Sequence, residues 1–209
     1  MKITKRQNDI ILGSIFGDGY LDPKGDIARL HLKQSVEKKD YVFWLYHELE
    51  NLCKSAPKQR KDNQQWYVST RYFPELMEWR RRFYPKGTKL IPKDIGTQFQ
   101  SPISLAVWFM DDGTLDWRPK DHYAFRLTTN CFSITDTSRL VEVLSKNFGV
   151  EATTQTTLMR GKRYPRIHIG ARGRDKFLKL VSPYILKCFE HKLPPLYLTP
   201  QRLDRIAIG

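Results

Sequence analysis

Residues 10–16 and 105–110 are apolar on nearly every side of a helical projection, the pattern of a helix buried all round. The period then changes. Residues 28–33 alternate Ala28, Leu30 and Leu32 with Arg29, His31 and Lys33, while residues 125–130 set Phe125 and Leu127 against Arg126, Thr128 and Asn130. Both stretches predict half-buried strands. Amphipathic helices follow, with Tyr41, Leu45, Leu49 and Leu52 along one face of the first and Leu140, Val143, Leu144 and Phe148 along the second. Next come basic hairpins. Residues 57–61 and 65–71 flank Asp62-Asn63, and residues 153–159 and 164–170 flank Arg160-Gly161-Lys162-Arg163, where Gly161 suits a tight turn. A further helical stretch closes each series, at residues 74–83 and 174–186.

The same series thus occurs twice, and its starting points share letters as well as periods. Asp18-Gly19-Tyr20-Leu21-Asp22 recurs as Asp112-Gly113-Thr114-Leu115-Asp116, each time at the end of the buried helix. Near the end of each series stands a lysine before proline, in Lys89-Leu90-Ile91-Pro92 and Lys192-Leu193-Pro194. A duplication of this kind decides architecture. The expected fold is α+β, with two αββαββα halves, residues 1–98 and 99–209, related by pseudo-two-fold symmetry. No low-complexity linker separates them, so they are expected to pack as one unit.

Charge narrows the class of partner. The 209 residues carry 36 Lys and Arg against 22 Asp and Glu, a formal net charge of +14. A chain this basic most often meets a polyanion, nucleic acid first and an anionic membrane surface second. Its apolar runs fall far short of the roughly 20 residues that span a bilayer, and no leader precedes the first. Cys53, Cys131 and Cys188 lack zinc-site spacing and suit reduced thiols in a core. The scattered His31, His47, His122, His168 and His191 weigh against transition-metal chemistry.

The two motif helices carry start signals, a Thr4-x-x-Gln7 capping box and Ser101 as N-cap before Pro102. Gly13 and Gly17 share a face, which allows another helix to come close; the natural partner is the other motif helix. That pairing brings Asp18 and Asp112 together at two helix C-termini. Carboxylates repel each other there, and each also meets the partial negative charge of its own helix end. A divalent cation would remove the conflict. Hard oxygen ligands suit Mg²⁺, which takes one or two carboxylates with phosphate and water oxygens and would polarise a phosphodiester.

These segments resemble the LAGLIDADG motif of homing endonucleases, with residues 11–19 (ILGSIFGDG) and 105–113 (LAVWFMDDG) covering its nine positions. The repeated order of elements extends the resemblance over essentially the whole chain, toward the double-motif, monomeric, intron-encoded branch of the omega type. The resemblance implies two antiparallel sheets forming a DNA-binding saddle along the major groove, and Mg²⁺-dependent cleavage of both strands that leaves 3′ overhangs, with Mn²⁺ able to substitute. It implies metal binding by the final acids, Asp18 and Asp112, with Gly17 and Asp111 beside them in the candidate metal set. Lys89 and Lys192 occupy the positions of basic residues that assist near the scissile phosphates. Two positions depart from the pattern: Val107 stands in place of glycine, and Asp111 in place of a small residue, which makes it a rival to Asp112.

Arg29, His31, Lys33, Arg71, Arg126, Thr128, Asn130, Arg166 and His168 occupy outward strand positions and present donors suited to base edges and phosphates. The expected partner is double-stranded DNA with a long specific target. Arg80-Arg81-Arg82 is a solvated face that could contact phosphate. Asp22 and Asp116 suit turn or strand-entry roles, and the five tryptophans suit the core. An intron RNA maturase and a non-cleaving DNA-binding regulator are the alternatives on the same scaffold; the regulator predicts loss of a metal acid, yet both are present. An organelle fits the resemblance, and a prokaryotic cytoplasm fits the sequence equally.

Overall fold

The computed structural model describes residues 2–118 and 122–197. The expected C-terminal half runs past these, and its residues 119–121 and 198–209 lie outside the described ones. The fold is α+β. Helix α1 (Lys5–Phe16) leads into β1 (Tyr20–Lys24) and β2 (Ile27–Gln34), then α2 (Lys39–Leu49), β3 (Lys58–Gln59), β4 (Trp66–Ser69) and α3 (Pro74–Phe83). The series then repeats as α4 (Pro102–Asp112), β5 (Gly113–Arg118), β6 (His122–Thr128), α5 (Ile134–Phe148), β7 (Thr153–Met159), β8 (Lys162–Ile169) and α6 (Arg174–Val181). Two antiparallel sheets result, ordered β1-β2-β4-β3 and β5-β6-β8-β7.

Alternation sets the two faces of each sheet. Ala28, Leu30 and Leu32 of β2 and Phe125 and Leu127 of β6 are buried on the helical side, which leaves Arg29, His31, Lys33, Arg126 and Thr128 on the opposite face. Each half gathers an aromatic cluster behind its sheet. Phe16 packs edge-on against Phe83 in the first and against Phe99 across the boundary, and Phe109 packs likewise against Phe125 and Phe177 in the second.

The halves join through α1 against α4. The predicted capping box is formed: the Gln7 N–H donates to Thr4 Oγ1 (3.2 Å) and the Thr4 N–H to Gln7 Oε1 (3.1 Å). Ser101 precedes Pro102 as predicted, although its side chain makes no capping bond. A Cβ added at Gly13 would sit 2.5 Å from the Ser104 carbonyl oxygen and 2.8 Å from Val107 Cβ. The glycine of one helix therefore admits the valine that replaces glycine in the other. At Gly17 the added atom would lie 2.4 Å from Asp111 Cβ. Between them, the buried Ser104 hydroxyl donates to the Asp9 carbonyl (2.7 Å) and ties α4 to α1.

Several expected details differ. The first basic hairpin is shorter than its sequence pattern, because the Asn63 side chain accepts from the Gln65 N–H and Gln64 takes a positive φ, which turns the chain out of the ladder. Helix α6 stops at Val181 instead of reaching residue 186, because Pro183 cannot donate the next helical bond; a 3₁₀ turn, Ser182–Tyr184, follows. Arg71 lies beyond β4, where its N–H bonds to the Leu52 carbonyl (2.7 Å), and Asn130 falls in the turn after β6. Trp117 is 37% exposed and stacks on Tyr123, and Cys131 is exposed, so neither is a core residue.

Gly13→Ala should lower stability by about 1–3 kcal/mol, the usual effect of overpacking a tight interface. Thermal unfolding of the variant measures it; an unchanged midpoint would mean that the α1–α4 packing has slack the structure does not show.

Candidate active site at the paired helix ends

The two motif helices end differently. Helix α1 stops at Phe16, and the Gly19 N–H reaches back to the Ser14 carbonyl (2.7 Å), so Asp18 stands in an exposed turn. Helix α4 continues through Asp111 and Asp112, both half-buried. Asp111 faces Gly17 across the helix interface, and its Oδ2 accepts the Asp18 backbone N–H (3.2 Å). From the end of β2, Gln34 Nε2 donates to Asp18 Oδ2 (2.8 Å) and Asp111 Oδ1 (3.2 Å). Three carboxylates thus share one small volume.

Both predicted lysines point into the same place. Lys89 Nζ donates to the Gly17 carbonyl (3.1 Å) and more weakly to that of Phe16 (3.4 Å), while Lys192 Nζ donates to the carbonyls of Met110 (2.6 Å) and Phe109 (3.2 Å). Each lysine therefore satisfies orphan carbonyls at the C-terminus of a motif helix and places its charge against the negative end of the dipole. These are not solvated helix-end charges. Lys192 is 7% exposed, and burial followed by the nearby Lys38 charge pulls its ammonium down to about 8. Burial also lowers Lys89.

The acids respond in the opposite direction. Burial, and then the Asp18 carboxylate, pushes Asp111 up to about 8. The same two causes raise Asp112 to about 7, against the pull of Lys89 and Lys192. Near neutral pH this cluster holds protons that a divalent cation would displace. Among the described residues no group of three or more His, Cys, Asp or Glu side chains forms a ready-made metal cage. Asp111 accepts from the Asp18 N–H and from Gln34, and the Gly17 carbonyl receives Lys89.

Three residues here escaped sequence analysis: Gln34, Lys38 and Tyr41. Gln34 left a signal, because it is a polar residue at the next inward position after Ala28, Leu30 and Leu32 and is 7% exposed. Lys38 shares the Phe189 ring with Lys192, at 5.2 and 5.1 Å from its centroid. Tyr41 is fully buried near Asp111, and burial together with that carboxylate raises its phenol well above the ordinary range.

The candidate contact residues divide more evenly. Arg29, His31 and Lys33 line the outward face of β2; Arg126 and Thr128 of β6 pair with His168 and Arg166 of β8. Burial, and then flanking cations, lower both His31 and His168, which favours the neutral ring in each. Arg80, Arg81 and Arg82 are engaged within the protein, Arg80 with the Leu21 carbonyl and the Tyr84 ring, Arg81 with Asp26 and Arg82 with Asp94.

Paired sheets, a helix-to-helix centre and acids at both helix ends define a duplicated α+β scaffold with its carboxylates gathered at one point. A model of the LAGLIDADG DNA endonuclease family matches residues 8–177, and the chain belongs to that family. It is similar to the DNA endonuclease I-ChuI of Chlamydomonas applanata, 28% identical across 92% of this chain and 96% of that protein. The cytochrome b mRNA maturase bI2 of Debaryomyces hansenii is 25% identical over 91% of this chain and 74% of its own length. The chain spans about half, 48%, of a similar RecA protein from Mycolicibacterium chitae. Among solved structures, the homing endonuclease I-WcaI bound to its DNA recognition sequence superposes with a TM-score of 0.79 at 22% identity, over 93% of this chain and 88% of that one. I-DmoI in complex with DNA and Mn superposes at 0.54 and 16% identity, over 87% and 99%.

The raised acids set a pH dependence for the metal-free protein. Their folded values lie above the ordinary carboxylate range, so the folded state binds more protons than the unfolded state between about pH 4 and 8. These groups therefore favour folding least at the alkaline end of that window. Thermal unfolding across it should show stability falling as pH rises, less so in Asp111→Asn and less so with Mg²⁺ added; equal slopes in wild type and variant would contradict the crowding described.

Proposed function

We propose that this protein is a monomeric, site-specific homing endonuclease that hydrolyses one phosphodiester in each strand of double-stranded DNA and leaves 3′ overhangs. The convergence of Asp18 and Asp112 with Lys89 and Lys192 at the joined helix ends, between two basic sheets, carries the proposal. The halves act as one unit, residues 1–98 and 99–209, each supplying an acid and a lysine. Mg²⁺, or Mn²⁺ in its place, held by Asp18 and Asp112, would supply Lewis-acid polarisation of the scissile phosphate and an activated water. Lys89 and Lys192 neutralise the crowded helix ends and lie where charge develops on the phosphate. Gln34 orients the Asp18 carboxylate. The outward donors Arg29, His31, Lys33, Arg126, Thr128, Arg166 and His168 face the major groove, with Arg71 and Asn130 at the sheet margins. Among the described residues no helix is long and apolar enough to cross a membrane. The biological outcome would be copying of the host intron, in an organelle as the algal and yeast relatives favour.

A second activity has an observation behind it, the similarity to a maturase. Intron splicing with the acids replaced separates the two, because RNA binding by the sheets does not need the metal acids.

Selection of cleaved sites from a randomised DNA library with Mg²⁺ is the first test. On a recovered site, Asp18→Asn and Asp112→Asn should each reduce cleavage about 1,000-fold or more while binding persists, since a cation's contribution to such a transition state is several kcal/mol. Full cleavage by either variant would sink the proposal. Lys89→Ala and Lys192→Ala should slow turnover more than they weaken binding.

A further inference from the structure

The duplicated motif ends in a second acid, Asp22 or Asp116, that the proposed chemistry does not use. Neither one sits in a turn or at a strand entrance. Asp22 lies within β1, directly opposite Arg29 of β2, and its Oδ2 accepts from Arg29 Nε (2.8 Å) and from the Tyr72 hydroxyl (3.2 Å). The Arg29 guanidinium also lies 5.1 Å from the centroid of the Tyr72 ring. Its bond to Asp22 is made through Nε, at the base of the fork. Asp116 lies within β5 and accepts from Nη2 of Arg126 on β6 and from Nη2 of Arg118 (3.2 Å). Arg126 Nε is buried without a partner among the described residues.

We propose that Asp22 and Asp116 are buttresses that hold Arg29 and Arg126 rigid on the outward sheet faces, so that each arginine reads one guanine, one in each half-site of the DNA target. A carboxylate behind a guanidinium fixes the plane of the fork, and a fixed fork matches the two major-groove acceptors of guanine, O6 and N7. The inference rests on the nuclease reading above and adds to it the base that is recognised and where it lies.

The two arginines do not occupy equivalent rungs. Counting from the active site, the first outward rung pairs Tyr20 with His31 in one sheet and Thr114 with Arg126 in the other. The second pairs Asp22 with Arg29, but Asp116 with Ala124. Arg126 thus stands one outward rung nearer the centre than Arg29, and its buttress reaches it diagonally. One rung is two residues, about 6.6 Å along a strand, or about two base-pair steps of 3.4 Å. The guanine read by Arg126 should therefore lie about two base pairs closer to the cleavage centre than the guanine read by Arg29.

The test is a preferred site recovered from a randomised library, with every base pair then substituted singly. Wild type should require guanine once in each half, at positions displaced as described. Arg29→Lys and Arg29→Ala should lose discrimination at the outer guanine alone, by about 5- to 150-fold, and the Arg126 variants at the inner one alone. Asp22→Asn and Asp116→Asn should weaken discrimination at the same positions while affinity for unrelated DNA holds or rises, because each removes a negative charge from the binding face. Uniform weakening across all sequences in the arginine variants, or intact discrimination in the aspartate variants, would overturn the inference and leave the nuclease assignment standing. Failure of wild type to recover any preferred site would overturn both.

Discussion

Everything at the centre of this molecule follows from packing two helix C-termini against each other. Each end carries unsatisfied carbonyls and a partial negative charge, and each adds carboxylates. The close approach that Gly13 and Gly17 permit confines these groups near one another. Lys89 and Lys192 answer the carbonyls directly, and burial, with the neighbouring Asp18 carboxylate second, raises Asp111 and Asp112 far above ordinary carboxylates. The architecture thus concentrates negative charge at a point flanked by basic surfaces, a natural place for a cation shared with phosphate oxygens.

The pseudo-symmetry is structural before it is chemical. Asp18 is exposed in a turn, whereas Asp112 closes a helix. Gln34 reaches the acids from the first sheet, but the register-equivalent Thr129 is fully buried and turned away, donating to the Pro165 carbonyl (2.8 Å). Lys38 accompanies Lys192, while the region around Lys89 holds Cys131 and the Phe132 ring instead. Asp111, standing where the motif prefers a small residue, adds a third acid that only one half contributes. The two helix ends built by duplication therefore stand in different electrostatic surroundings, and the sheets differ further, with acid-paired arginines on different rungs.

Much of this was legible beforehand, for reasons that can be given residue by residue. Periods of 3.6 and 2 marked the helices and strands because a buried face must be apolar whatever its partner. The repeated Asp-Gly-x-Leu-Asp placed Asp18 and Asp112 at helix ends, and the lysine-before-proline segments singled out Lys89 and Lys192. Gln34, Lys38 and Tyr41 are not legible as site residues, because they lie on or beside elements that meet the ends of α1 and α4 only through the fold. Arg71 and Asn130 were assigned to strands that end before them, since local alternation carries no record of where a ladder stops. Trp117 has a residue type that suits the core, but near the outer end of β5 it stacks on Tyr123 and stays exposed.

The sequence by itself determined the duplication, the α+β elements, the buried motif helices, and which acids and lysines recur. Those properties reside in local periodicity and in identity, which one chain displays without its partners. Only the tertiary structure decided that the lysines cap helix carbonyls, that Asp111 bridges to Asp18 and Gln34, and that Asp22 and Asp116 face arginines across a ladder. Each of those depends on register and interhelical distance, where a shift of one residue turns a side chain to the opposite face and removes the contact altogether.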